Sequence, residues 1–171
     1  VLVGWHGQTV WVKIKGRGSF QNSAGVKEYV GRMVCRGHRD FIVDLEDCDQ
    51  MDSTFMGTLT GVALRLRKIG QGGLRAINVN ERNAGLLCSL GLDQFFSVEE
   101  AGGGLSVPAE AKPLQPPAAS EPNAVDQQKI ILEAHEALVE ADSANEVKFH
   151  DVLEFLRQEQ DLPDSGRGGD T

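Results

Sequence analysis

Hydrophobic and polar positions first alternate along Thr9-Val-Trp-Val-Lys-Ile-Lys15, a period of two rich in β-branched and aromatic residues that predicts a half-exposed strand at an edge or in a meander. Gly16-Arg-Gly18 ends it. Asn22-Ser23 then opens a helix with Val26, Tyr29, Val30 and Met33 or Val34 on one face, and Gly37 closes it. Asp40-Phe-Ile-Val-Asp-Leu45 is apolar and too short for a helix, which predicts a central strand covered on both faces, followed by an acidic loop Glu46-Asp-Cys-Asp-Gln50. From Ser53 the stripe Met56, Leu59, Ala63, Leu66 and Ile69 predicts a helix that stops at Gly70 and Gly72-Gly73. Leu74 to Val79 reads as a second buried strand. Glu81 to Leu90 reads as a short helix with Leu86, Leu87 and Leu90 inward, stopped by Gly91, and Phe95-Phe-Ser-Val98 as a last short strand. This alternation predicts an α/β fold: right-handed crossovers in a mixed, partly parallel sheet of about four to five strands with helices packed on it.

The pattern breaks at Ala101-Gly-Gly-Gly104, and the Pro- and Ala-rich stretch that follows predicts a linker over 101–124. Two amphipathic patterns come next, an expected helical hairpin over 125–160. Ile130, Ala134, Ala137 and Ala141 or Leu138 line the first; Ser143-Ala-Asn-Glu146 has the form of a capping box for the second, which carries Phe149, Val152, Leu153 and Leu156. Two short helices do not bury their apolar faces alone, so they dock on the front domain, on a partner, or on a second copy as a homo-oligomer. Residues 161–171 are polar and Gly-rich and are expected to be disordered.

Charge sharpens this division. Through Glu99 the chain has 12 Lys and Arg against 10 Asp and Glu, a balance near +2, whereas the remainder has 5 against 15, near −10. A front portion with no basic stripe argues against nucleic-acid binding. No apolar run approaches the roughly 18 residues of a membrane span, and Val1 to His6 lacks the features of an export signal. Cys35, Cys48 and Cys88 are widely spaced, as expected of reduced thiols in a cytoplasmic protein. His6, His38, His135 and His150 include no pair spaced i, i+4, so neither a metal site nor a cofactor is expected. Gly70-Gln-Gly-Gly73 follows a helix and precedes a strand, the reverse of a phosphate-binding loop. Ser53, His38 and Asp40 lack the Gly-x-Ser-x-Gly setting of a hydrolase, which argues against a catalytic triad.

The informative segment is Ile42-Val-Asp-Leu-Glu-Asp-Cys-Asp-Gln-Met-Asp-Ser-Thr-Phe-Met-Gly-Thr-Leu-Thr-Gly61. Its apolar strand ending in Asp-Leu, short loop, Asp-Ser-Thr and helix with Gly57 and Gly61 resemble the signature of STAS domains, nearest the bacterial anti-sigma factor antagonists. Asn78-Val-Asn80 and Leu90-Gly-Leu-Asp93 followed by Phe95-Phe-Ser-Val98 resemble the closing part of that family, and the likeness runs from about Val10 to Val98. Phe55 departs from the pattern, standing where the family usually has a small residue.

The resemblance implies a STAS-like α/β fold with a C-terminal helical extension, and a phosphorylation site at Ser53 with Thr54 as runner-up. It also implies a partner-binding face of Asp49, Asp52, Ser53, Thr54, Phe55 and Met56. The implied partners are an anti-sigma factor with GHKL-type serine kinase activity and a PP2C-type serine phosphatase, with this chain as their substrate and binding surface and not itself an enzyme. The alternative is a STAS-type scaffold or small-ligand sensor in a signalling or transport assembly unrelated to sigma factors. Local physics bears on the site independently. Ser53 stands where a loop becomes a helix, as N-cap or first-turn residue, and a helix N-terminus tolerates phosphate because its free N–H groups and dipole favour negative charge. On local features alone a serine here is more often an ordinary N-cap than a phosphorylation site; that role would not explain Asp52, Thr54, Gly57 and Gly61 together.

Overall fold

Leu2–His6 (β1) turns back through Gly7-Gln8 onto Thr9–Gly18 (β2) and pairs with it antiparallel, His6 opposite Thr9 and Leu2 opposite Lys13. The hydrophobic pattern did not predict β1, because five residues with two at the surface carry too little periodicity to register. The computed structural model describes residues 1–100, 112–113 and 124–161. Most of the expected linker and all but the first residue of the expected disordered end lie outside the described residues.

Three strand–helix–strand units follow β2. Phe20–Cys35 (α1) leads to Asp40–Met51 (β3), Ser53–Ile69 (α2) to Gly73–Val79 (β4), and Glu81–Ser89 (α3), with a 3₁₀ turn at Leu92–Gln94, to Ser97–Glu100 (β5). The strands from β2 to β5 are mutually parallel, and Lys112–Pro113 (β6) adds to β1 antiparallel, giving the order β5-β4-β3-β2-β1-β6. Each crossover steps the same way across the sheet, so right-handed connections put all three helices on one face. That face holds the core: Val10, Val12 and Ile14 of β2, Phe41, Val43 and Leu45 of β3, and Leu74 and Ala76 of β4 meet Val26, Met33, Leu59, Leu66 and Leu87 from the helices. Their burial is the main stabilising term. The sheet is thus mixed and mostly parallel as expected, with six strands rather than four or five.

Several boundaries differ for identifiable reasons. α1 begins at Phe20 behind Ser19, and Asn22 sits a turn inside, its side chain accepting the Ser19 N–H at 2.9 Å. The expected acidic loop is strand: β3 runs on to Met51, with Asp47 opposite Lys15, Cys48 opposite Gly16 and Gln50 opposite Arg17 across two register shifts. Its charges are matched by basic residues of β2, a cross-strand complement that sequence alone does not display. β5 begins at Ser97, because Phe95 and Phe96 complete the turn and Phe96 is buried.

Ala124–Ala141 (α4) and Asn145–Asp161 (α5) form a hairpin on the outer side of α2. Of the three destinations open to these helices, α4 takes the front domain, packing along α2 and touching α1. Leu138 enters the main core, while Leu132, Leu153 and Leu156 form a small second cluster between α4 and α5. α5 starts at Asn145 rather than Ser143, and Val152 is largely exposed.

Candidate functional site

The amino end of α2 is built by its cap. Asp52, not Ser53, is the N-cap residue; one carboxylate oxygen accepts the Phe55 N–H at 2.8 Å and the other the Phe20 N–H at 3.0 Å. A carboxylate is favoured at this position because it satisfies a free donor and complements the positive end of the helix dipole. By reaching the first turns of both helices, Asp52 ties α1 to α2. Its own N–H donates to Gly18 O at 2.9 Å, and upstream both Asn80 Nδ2 and Asn83 Nδ2 donate to Cys48 O, at 2.9 and 3.1 Å. The strand delivering Ser53 is therefore clamped on either side. Burial pushes the Cys48 thiol above its ordinary range.

Ser53 follows as the first helical residue, half-buried. Its Oγ lies 3.0 Å from Nε2 of His135 on α4. The other ring nitrogen, Nδ1, is 2.8 Å from Ile131 O, a group that only accepts. A neutral ring therefore carries its proton on Nδ1, leaving Nε2 to accept the Ser53 hydroxyl. His135 is 3 % exposed, with the ring of Phe149 from α5 edge-on at 4.9 Å. Sequence reasoning passed over His135, having weighed that residue only for metal spacing. The available signal was its place within the apolar stripe of α4, three residues before Leu138.

The six residues expected to form the partner face separate. Asp49 is exposed, and Asp52 and Ser53 are half-buried, but Thr54, Phe55 and Met56 are buried. Phe55 is 0 % exposed, its ring lying where a Cβ on Gly18 would come within 2.6 Å of it. The bulky residue thus points into the core, over a glycine at the end of β2. This corrects the expectation for Thr54, Phe55 and Met56: the α2 residues two to four places past the Asp52 cap are buried.

The acidic surroundings are organised by Lys13. Its Nζ lies 2.6 Å from Glu46, 3.3 Å from Asp47 and 3.4 Å from Asp44 Oδ2. Asp44 is fully buried; Oδ1 accepts the Glu46 N–H and Asn78 Nδ2, both at 3.0 Å, and the Lys13 ammonium is the compensating charge for Oδ2. The hydrogen bond to Glu46, opposed by desolvation and reinforced by Asp44 and Asp47, holds the Lys13 ammonium well above the usual lysine range. Among the described residues, no cluster of three or more His, Cys, Asp or Glu side chains is arranged to hold a metal ion. Nor is any described helix long and apolar enough to cross a membrane.

Fold and site together define an α/β domain of one mostly parallel sheet, with its helices on one face and a capped serine at the start of α2. The chain belongs to the STAS domain family, which it matches over residues 5–101. Among solved structures it is similar to the Thermotoga maritima protein TM1081, described as a candidate anti-sigma factor antagonist. That match has 17 % identity and a TM-score of 0.53, covering 57 % of this chain and 84 % of that one. It is also similar to the unphosphorylated form of the anti-sigma factor antagonist SpoIIAA from Bacillus, at 16 % identity and a TM-score of 0.51, covering 57 % of this chain and 87 % of that one. Identities this low speak for the fold alone. No curated protein sequence gives a significant match.

Proposed function

We propose that this chain is an anti-sigma factor antagonist working as a phosphorylation-controlled partner switch in the cytoplasm. With Ser53 unmodified, the amino end of α2 binds an anti-sigma factor that is also a GHKL-type serine kinase; transfer of a phosphoryl group to Ser53 ends that binding. A PP2C-type phosphatase restores the hydroxyl. ATP and magnesium belong to the kinase, and this chain is substrate and docking surface. The observation that carries the reading is the place of Ser53 in a STAS domain: first residue of α2, behind an aspartate cap, half-exposed.

The electrostatics support a binary output. A phosphoserine adds about −1.5 to −2 charges, here beside Asp52 and near exposed Asp49. In an interface matched to a neutral hydroxyl, a penalty of roughly 3 kcal/mol lowers affinity more than a hundredfold. The helix terminus tolerates the group, so the fold itself need not change.

The test is to map phosphate on the chain purified from its native cells and to titrate its kinase with Ser53→Ala and Ser53→Asp. Ser53→Ala should bind constitutively, and Ser53→Asp at least tenfold more weakly. Equal affinity of the two variants would refute the switch.

A further inference from the structure

The face of α2 that carries Ser53 is already occupied. α4 lies so close that a Cβ on Gly57 would meet the backbone oxygen of Ala134 at 2.2 Å, while Gly61 stands opposite Ala137. Ser53, Gly57 and Gly61 recur every fourth residue and form one stripe of α2; Ala134, His135 and Ala137 of α4 lie against it.

Charge and polar contacts fix the register. Lys27 of α1 pairs with Glu133 and Lys68 of α2 with Glu140, so the acidic rear of the chain meets cations of the front. At the hairpin turn, the fully buried Asn145 donates to Leu90 O and Leu138 O, both at 2.9 Å, and Lys148 Nζ donates to Ser89 O at 2.6 Å.

A cleft of about 200 Å³, partly open to solvent, lies beside this contact, lined by Val30, Gly57, Gly61 and Ala134 together with Lys27 and Arg65.

We infer that the α4–α5 hairpin is an internal ligand of the docking face, so that a docked α4 and a phosphorylated Ser53 exclude one another. The inference rests on the partner-switch reading of Ser53. With α4 in place, Oγ is hydrogen-bonded to a buried imidazole, and the stripe that flanks it is covered. Both a protein partner and an incoming phosphoryl group need α4 to leave.

The exclusion runs in the other direction too. Esterification forms a bond from Oγ to the γ-phosphorus of the kinase's ATP as the bond from that phosphorus to the bridging oxygen breaks and ADP leaves. The proton that Oγ gave to Nε2 goes to the kinase's base. The ester oxygen has no proton to donate, so the hydrogen bond across the α2–α4 contact is lost, and a bulky dianion has been added beside Asp52 where α4 packs. Coupling of this kind is reciprocal: whatever closing costs a partner in affinity, the partner costs closing. The fraction of open chains sets the apparent affinity of the face.

The test uses the full chain with phosphoserine installed at position 53 during synthesis, so neither kinase nor partner is needed. Amide hydrogen exchange over residues 130–141 reports α4 docking, and Gly57→Ala, whose added methyl wedges α4 away, sets the level of an undocked helix. Phosphoserine should bring exchange at least tenfold above that of the unmodified chain and towards the Gly57→Ala level.

A second readout is the crosslink between positions 61 and 137 in Gly61→Cys/Ala137→Cys, made with Cys35→Ser and Cys88→Ser. A Cβ on Gly61 would lie 3.8 Å from that of Ala137, the spacing a disulfide needs. The crosslink should form at least tenfold more slowly with phosphoserine present. Unchanged or increased protection of α4, or an unchanged crosslinking rate, would overturn the inference while leaving the partner-switch reading in place. Equal kinase affinity of the two Ser53 variants would do the reverse.

Discussion

Ser53 and His135 are separated by 82 residues in the chain and by 3.0 Å in space. One is the first helical residue of α2, the other a buried position in the middle of α4, and their hydrogen bond is where the STAS domain and its helical extension meet in chemistry. Several measurable consequences stem from it and from the contacts that place it.

Removing the two groups singly and together isolates their interaction. Ser53→Ala, His135→Phe and the double variant, unfolded in urea, should show a coupling of about 0.5–1.5 kcal/mol, the net value of one hydrogen bond. His135→Phe keeps a ring against Phe149, which limits the packing loss. Additivity within about 0.3 kcal/mol would mean that the contact contributes nothing to α4 docking.

Asp52 caps two helices. Asp52→Ala should therefore cost about 2 kcal/mol, the upper end for one N-cap, because the Phe20 and Phe55 N–H groups both lose their acceptor. Asp52→Asn retains one side-chain oxygen and should lose clearly less. Equal losses in the two variants, read from urea midpoints at constant slope, would contradict the dual role.

Gly70 and Gly72 both have positive φ, +77° and +82°, yet their surroundings differ. A Cβ on Gly70 meets nothing within 4 Å, whereas one on Gly72 would lie 2.1 Å from Arg39 O. Gly70→Ala should cost only the left-handed conformation, about 1–2 kcal/mol. Gly72→Ala adds a backbone collision where α2 returns to the sheet and should lower the melting temperature more. A smaller shift for Gly72→Ala would show that the loop relaxes freely.

Lys13 offers a pH signature. Because its folded pKa is raised, its stabilisation is complete below the unfolded value of about 10.4 and is lost as pH rises from there towards the folded value. Lys13→Met strands the buried Asp44 carboxylate and should cost about 3–5 kcal/mol. The difference from the unaltered chain should hold constant between pH 7 and 9 in urea unfolding and narrow only at alkaline pH. Narrowing already between pH 7 and 9 would contradict the raised pKa.

The elements legible in the sequence were those with a strong period and a clear stop. α2 announced itself through Met56, Leu59, Ala63 and Leu66, and ended at Gly70 as expected. The β3 core, Asp40 to Leu45, was legible for the opposite reason: an unbroken apolar run too short for a helix. Polar strand residues were not. Glu46 to Gln50 have the composition of a loop, and only the opposing Lys13, Lys15 and Arg17 make them strand. Phe55 was misplaced because its direction depends on how α2 sits over Gly18, a relation with no local trace.

Local chemistry by itself determined that the chain is α/β, that Ser53 opens a helix with an acid before it, and that two amphipathic helices require a surface to cover. These follow from side-chain period, capping preference and the cost of exposing apolar area, all readable over a few neighbouring residues. Tertiary structure alone decided which surface they cover. That choice rests on Gly57 allowing a backbone to within van der Waals distance, on charge pairs between distant segments, and on a histidine whose partner lies across the molecule. None has meaning until the chain has folded back on itself.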